Sequence, residues 1–137
     1  MQRVAQDLYI SGIEAAGDAE RLASRGITAV LKLTHSDPPA PYPANVTVAA
    51  HPLIDGPQND FQNFQTAVEA LISFRKSGET VLVHCSAGSS RSGAITAAAL
   101  AQTTNTSVES SLGRLKERKP DIDPHPALLE HARKSVR

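Results

Sequence analysis

The sequence predicts one α/β domain over residues 1–137, with a central, mostly parallel or mixed sheet flanked by helices and an anion-binding loop between a strand and a helix N-terminus. Three observations predict it. Short strand-like runs alternate with helix-like stretches across short joins, the pattern of a layered α/β structure. Val81-Leu82-Val83 is apolar at every position, as in a strand buried on both faces beneath helices. Small residues then turn directly into an alanine-rich segment, so that strand, loop and helix follow without interruption. A chain of 137 residues is long enough for one sizeable core and too short for two ordinary ones.

Taken in order, Leu8-Tyr9-Ile10 is a first strand, closed by Ser11-Gly12. Asp18 is placed to cap a short helix over Ala19–Arg25, with Gly26 at the stop position. Ile27 to Leu33 reads as a buried strand. Four prolines between Thr34 and Asn45 mark an irregular loop, and Val46 to Ala50 is extended again. After the Asp55-Gly56-Pro57 turn, Asn59 or Asp60 caps a helix. Phe61, Phe64, Val68, Leu71 and Ile72 share its inner face as core residues, and Gly78 ends it. A helix from Gly93 to about Thr103 leaves the loop. Thr106-Ser107-Val108-Glu109 has capping-box spacing and opens a helix with Val108, Leu112 and Leu115 on one side, ended at Lys119-Pro120. A proline-bearing loop over Asp121–Pro126 leads to a closing helix over Ala127–Val136, with Leu128, Leu129 and Ala132 inward. Its basic end, Arg133, Lys134 and Arg137, reads as a solvated face.

Charge and composition exclude several classes of function. Fourteen basic residues balance fourteen acidic ones, so nothing global draws the chain to nucleic acid or to a membrane surface. The longest apolar-rich run, Ala94 to Ala101, is far short of the roughly 20 residues of a spanning helix, and Met1–Asp7 carries no signal-peptide core. The single cysteine cannot form an internal disulfide and suits a reducing compartment. The expectation is a cytoplasmic protein without membrane or nucleic-acid partners.

The chemistry concentrates between Val81 and Gly93. Backbone N–H groups of Ser86, Ala87, Gly88, Ser89, Ser90 and Arg91 can converge on one concavity, to which the following helix adds its positive end. Cys85 opens this cradle and Arg91 closes it. A free thiol ionises near pH 8.5, and helix N-termini and nearby cations favour the thiolate. It would attack a phosphorus atom whose oxygens are held by the loop and by the guanidinium fork, giving a phosphocysteine. Ser92 follows the clamp, where its hydroxyl can hydrogen-bond the sulfur and help it leave. His84 precedes the nucleophile and is expected to be buried, orienting the loop; neighbouring strand residues face opposite sides, so it is aimed wrongly for a direct acid or base. The leaving oxygen requires a proton from elsewhere. Asp55, on a turn after an extended segment, is the candidate acid and Asp60 the reserve, although Asp before Gly-Pro is also ordinary turn chemistry. Tyr42, in the proline-rich loop, is expected to be exposed rather than to wall the site.

His84-Cys85-Ser86-Ala87-Gly88-Ser89-Ser90-Arg91-Ser92 resembles the H-C-x5-R-S signature of cysteine phosphatases, and its A-G-x-S-R-S interior resembles the dual-specificity phosphatases in particular. The similarity extends to Leu8–Gly12, to Gly26-Ile27-Thr28 leading into Val30-Leu31, to Pro52-Leu53-Ile54-Asp55 and to Arg118-Lys119-Pro120, and so spans nearly the whole chain. The resemblance implies Cys85 as nucleophile, Arg91 as phosphate clamp, Ser92 as helper of intermediate breakdown and Asp55 as acid, with no metal and no cofactor. Its implied partner is a phosphorylated protein or peptide carrying phosphotyrosine and, in a shallow pocket, phosphoserine or phosphothreonine.

Two departures bear on substrate. Gln58-Asn59-Asp60 replaces a more acidic run often seen after the acid, and the loop lacks the lysines typical of phosphoinositide phosphatases. The alternatives are a phosphatase for RNA 5′-phosphates, phosphoinositides or small metabolites, a sulfurtransferase, an arsenate reductase, or a non-catalytic phosphate-binding module. A basic track with interleaved aromatics is missing for RNA, and resolving cysteines are missing for arsenate reduction. A binding module would usually have lost Cys85 or Arg91.

Overall fold

The computed structural model describes residues 1–137. Five strands, β1 (Gln2–Ala5), β2 (Leu8–Ser11), β3 (Ala29–Lys32), β4 (Thr47–Ala50) and β5 (Val81–His84), form one sheet in the order β1-β2-β5-β3-β4. The β1–β2 pair is antiparallel and every other pair is parallel. The remaining elements are helices α1 (Ile13–Ala16), α2 (Ala19–Ser24), α3 (Phe61–Lys76), α4 (Arg91–Thr104), α5 (Val108–Arg118) and α6 (Pro126–Val136).

β5 is the axis. All four of its residues are buried, and it is inserted between β2 and β3 although it follows both in the chain. Strand alternation distributes its side chains to two cores. Val81 and Val83 join Ala29, Leu31, Leu8 and Ile10 against α3, α4, α5 and α6, whereas Leu82 joins Val30, Ala16, Leu22 and Ile27 on the opposite face. His84, at the C-terminal end, pairs with Ser11 on one side and Lys32 on the other. The following loop therefore emerges where the strand order reverses, the usual ligand position of such sheets.

Most expected boundaries hold. Asp18 caps α2 by accepting from Arg21 N, and left-handed Gly26 and Gly78 lie just beyond the ends of α2 and α3. Asp60, rather than Asn59, caps α3. The strand expected over Ile27–Leu33 narrows to β3, with Ile27 and Leu33 buried beside it.

Three details differ. β1 was not legible, because only Val4 of its four residues is buried, and its hairpin turns on Asp7 at φ 56°, a left-handed position that aspartate tolerates. The cap of α5 is Ser107, which accepts from Ser110 N at 3.0 Å; Thr106 Oγ1 instead meets Thr104 and Ser111, so the expected Thr106–Glu109 box is not formed. α4 begins at Arg91, two residues before Gly93. Gly93 is needed inside the first turn, where a Cβ would stand 2.8 Å from Ile122 Cγ2. The basic end of α6 is largely engaged: Arg133 bridges Glu109 and Glu130, and Lys134 Nζ lies 4.3 Å from the Phe61 ring centre. Phe61 is accordingly half-buried at the rim.

Candidate active site

Cys85 lies at the floor of the loop between β5 and α4 and is 2% exposed. The loop is seated on the β2–α1 turn. Ile13 N donates to Ser86 O at 3.0 Å, and Gly88, at φ +74°, packs so closely that a Cβ would stand 2.6 Å from the Ser11 carbonyl carbon. On its other side Asp123 N donates to Ser89 O at 3.2 Å. The loop thus uses carbonyls for anchoring, while no backbone N–H from Ser86 to Ser90 donates to another group of the protein. Unspent donors beside a helix N-terminus make an anion site.

Arg91, on the first turn of α4, crosses the mouth of this site. Its Nη1 donates to Leu53 O at 3.0 Å and its Nη2 to Ser86 Oγ at 2.7 Å. Leu53 O lies two residues before Asp55, so the guanidinium ties the segment that carries Asp55 to the loop. Asp55 is exposed, and its Oδ1 accepts from Ser90 Oγ at 2.5 Å. That same Ser90 oxygen accepts from His125 N at 2.8 Å. The Ser90 side chain is therefore engaged with Asp55 and with the cap of α6.

The other expected residues divide. Asp60 turns its carboxylate to Gln62 N at the start of its own helix, away from the reserve role assigned to it. Ser92 Oγ is buried and makes no hydrogen bond, so the expected contact with the sulfur is not formed here. His84 is fully buried, as expected, and its Nε2 is 2.7 Å from Tyr42 Oη. Burial pushes its pKa down to about 4, opposed in part by the adjacent Cys85 backbone and reinforced by the Lys32 and Arg91 charges. Its Nδ1 makes no well-formed hydrogen bond. The ring is thus a neutral strut beneath the loop.

Tyr42 corrects the expectation of an exposed loop residue. It is half-buried against the smaller core, its hydroxyl is taken by His84, and burial with the nearby Asp37 charge pushes its pKa up to about 12. In the same proline-rich loop Lys32 Nζ holds Asp37 Oδ1 at 2.5 Å. No local pattern marks Tyr42, since its partner is 42 residues away. Sequence pattern marks Asn59 only as a candidate cap, yet its side chain makes three hydrogen bonds to the backbone around Asp55. A cavity of about 560 Å³ opens beside the loop, lined by Asp55, Ser90, Asp121, Asp123 and His125 among others.

A loop of undonated N–H groups carrying a cysteine and an arginine thus stands at the C-terminal end of the mostly parallel sheet of an α/β protein. Residues 8–134 match the dual specificity phosphatase catalytic domain, and the chain belongs to that family. It is a phosphoric monoester hydrolase of the protein-tyrosine and dual-specificity type, a class that acts on phosphorylated proteins. Dual specificity protein phosphatase 22-B of Danio rerio is 32% identical over 126 residues, covering 91% of this chain and 68% of the relative. Dual specificity phosphatase 28 of Homo sapiens is 28% identical over 133 residues, covering 96% and 75%. Among solved structures, a mouse putative dual specificity phosphatase complexed with zinc tungstate superposes with a TM-score of 0.88 at 27% identity, covering 98% of this chain and 85% of that one. Human DUSP28 superposes with a TM-score of 0.85 at 27% identity, covering 99% and 95%. No helix is long and apolar enough to cross a membrane.

Proposed function

We propose that residues 1–137 form one catalytic domain that hydrolyses phosphotyrosine, with phosphoserine and phosphothreonine as further substrates, through a phosphocysteine on Cys85. The observation that carries this reading is the row of undonated N–H groups from Ser86 to Ser90 around Cys85, closed by Arg91. Three phosphate oxygens would take these donors and the guanidinium fork, which stabilise the charge that develops on them during transfer. The Cys85 thiolate forms the S–P bond as the P–O bond to the substrate breaks, and Asp55 gives its proton to the departing oxygen. Water then attacks the phosphocysteine, losing a proton to the Asp55 carboxylate, and the sulfur leaves as thiolate with the Ser92 hydroxyl turned to it. His84 and Tyr42 hold the loop from beneath and touch no reacting atom. That the mouse relative is complexed with zinc tungstate, whose tungstate is a tetrahedral oxyanion, is in keeping with such a cradle.

Turnover on a panel of phosphotyrosine, phosphoserine and phosphothreonine peptides, a phosphoinositide and a triphosphate-ended RNA tests substrate class, with Cys85→Ser as control. Phosphotyrosine peptides should be hydrolysed fastest and the variant should be inert while still binding them. Turnover retained by Cys85→Ser overturns the mechanism, and preference for the lipid or the RNA overturns the substrate reading.

A further inference from the structure

Asp55 is exposed and stands on a Gly-Pro turn, a setting that by itself leaves a carboxylate free to swing. Here the turn is cross-braced. Asn59 Oδ1 accepts from Ile54 N at 2.8 Å, and Asn59 Nδ2 donates to Ile54 O at 2.6 Å and to Gly56 O at 3.1 Å. These bonds fall on the residues immediately before and after Asp55. The amide head spends both of its N–H donors and one lone pair of its oxygen here, and asparagine alone offers that donor–acceptor pair on a side chain this short. Aspartate would set a second acceptor against two carbonyls.

The brace is itself anchored. His131 Nε2 lies 3.1 Å from Asn59 O, its N–H donating to that carbonyl, and the His131 ring packs against Phe61 and Phe64 with centroids 5.7 and 5.5 Å away. Next in the chain, Asp60 is fixed as the cap of α3. Asn59 therefore transmits the rigidity of two helices to the backbone on both sides of Asp55, while Ser90 meets the carboxylate from the loop side.

We infer that Asn59 is a positioning residue for the reaction: by bracing the backbone at Ile54 and Gly56 it holds Asp55 at the mouth of the Cys85 loop, and so controls protonation of the leaving oxygen. This rests on the reading of Asp55 as the acid. Displacing a proton donor by about 1 Å costs up to roughly a hundredfold, whereas a substrate with an acidic leaving group does not need the proton.

The test compares kcat and kcat/KM for a phosphotyrosine peptide and for an aryl phosphate with an acidic phenol. The proteins are wild type, Asn59→Ala, Asn59→Asp, Asp55→Ala and the Asp55→Ala/Asn59→Ala pair, each checked by urea unfolding. Asn59→Ala should lower kcat/KM, which reports formation of the phosphocysteine, at least about tenfold on the peptide, stay within about twofold on the activated ester, and add nothing once Asp55 is gone. Asn59→Asp, close in size but lacking the donors, should behave as the alanine variant does. Equal losses on both substrates, a full additional loss in the Asp55→Ala background, or a wild-type rate for Asn59→Asp would overturn the inference. If Asp55→Ala itself treats the two substrates alike, the acid reading falls and this inference with it. If Asp55→Ala discriminates and Asn59→Ala does not, only this inference falls.

Discussion

Acidification should destabilise this protein through His84. The buried ring has a pKa pushed down to about 4, against the ordinary value of 6.5. Between those values the unfolded chain binds a proton that the folded chain refuses, so stability rises with pH across this window. The penalty is absent above about pH 6.5 and complete below about pH 4. A difference of about 2.5 units corresponds to about 3 kcal/mol in the limit, of which about 2 kcal/mol is already lost near pH 5. For a domain whose whole stability is about 5–15 kcal/mol, that is a large share. Urea unfolding near pH 7.5 and near pH 5, on wild type and on His84→Gln, isolates the effect because the amide does not titrate. Carboxylates held below their usual range by cations, such as Glu109 beside Arg133 and Asp121 beside Lys119, weaken both proteins alike and cancel. Wild type should therefore lose about 2 kcal/mol more than the variant on acidification. Equal losses would refute the reasoning, because His84 would then take up its proton in the fold as readily as outside it.

Tyr42→Phe leaves the buried His84 Nε2 without its partner and should cost about 1–3 kcal/mol, read as a lower urea midpoint with unchanged slope. Gly88→Ala places a Cβ against the Ser11 backbone at a left-handed φ, so it should lower the melting temperature and weaken inorganic phosphate binding together. An unaltered melting curve would show that the β2–α1 turn can give way. Arg91→Lys keeps the charge but loses the planar fork that reaches Leu53 and Ser86, and kcat/KM on an aryl phosphate should fall by about a hundredfold or more.

Much of the architecture was legible because its signals are local. Val81-Leu82-Val83 has no polar face and so could only be a strand covered on both sides, which is β5 at the centre of the sheet. Asp18, Gly26 and Gly78 bound their helices by short-range backbone chemistry that needs no tertiary partner. β1 was not legible because an edge strand with a single buried residue has almost no periodicity to show. The Thr106–Glu109 box failed for a related reason: Ser107, one residue on, competes equally well by sequence, and Glu109 is drawn away by Arg133 on α6.

For the site, the sequence alone determined which groups lie in one loop, since Cys85 and Arg91 are joined by five small residues that have little choice but to turn between strand and helix. It also placed Asp55 on a turn. Only the tertiary structure decided what surrounds them. Strand order brought Ser11 and Gly12 under the loop, folded Tyr42 back onto His84, and set Ser90 against Asp55. It also fixed Asn59 between α6 and the turn at Asp55. The reason is one of range. Backbone propensity and loop composition act over a few residues, whereas these partners are separated by about 35 to 75 positions and meet only when the sheet has formed.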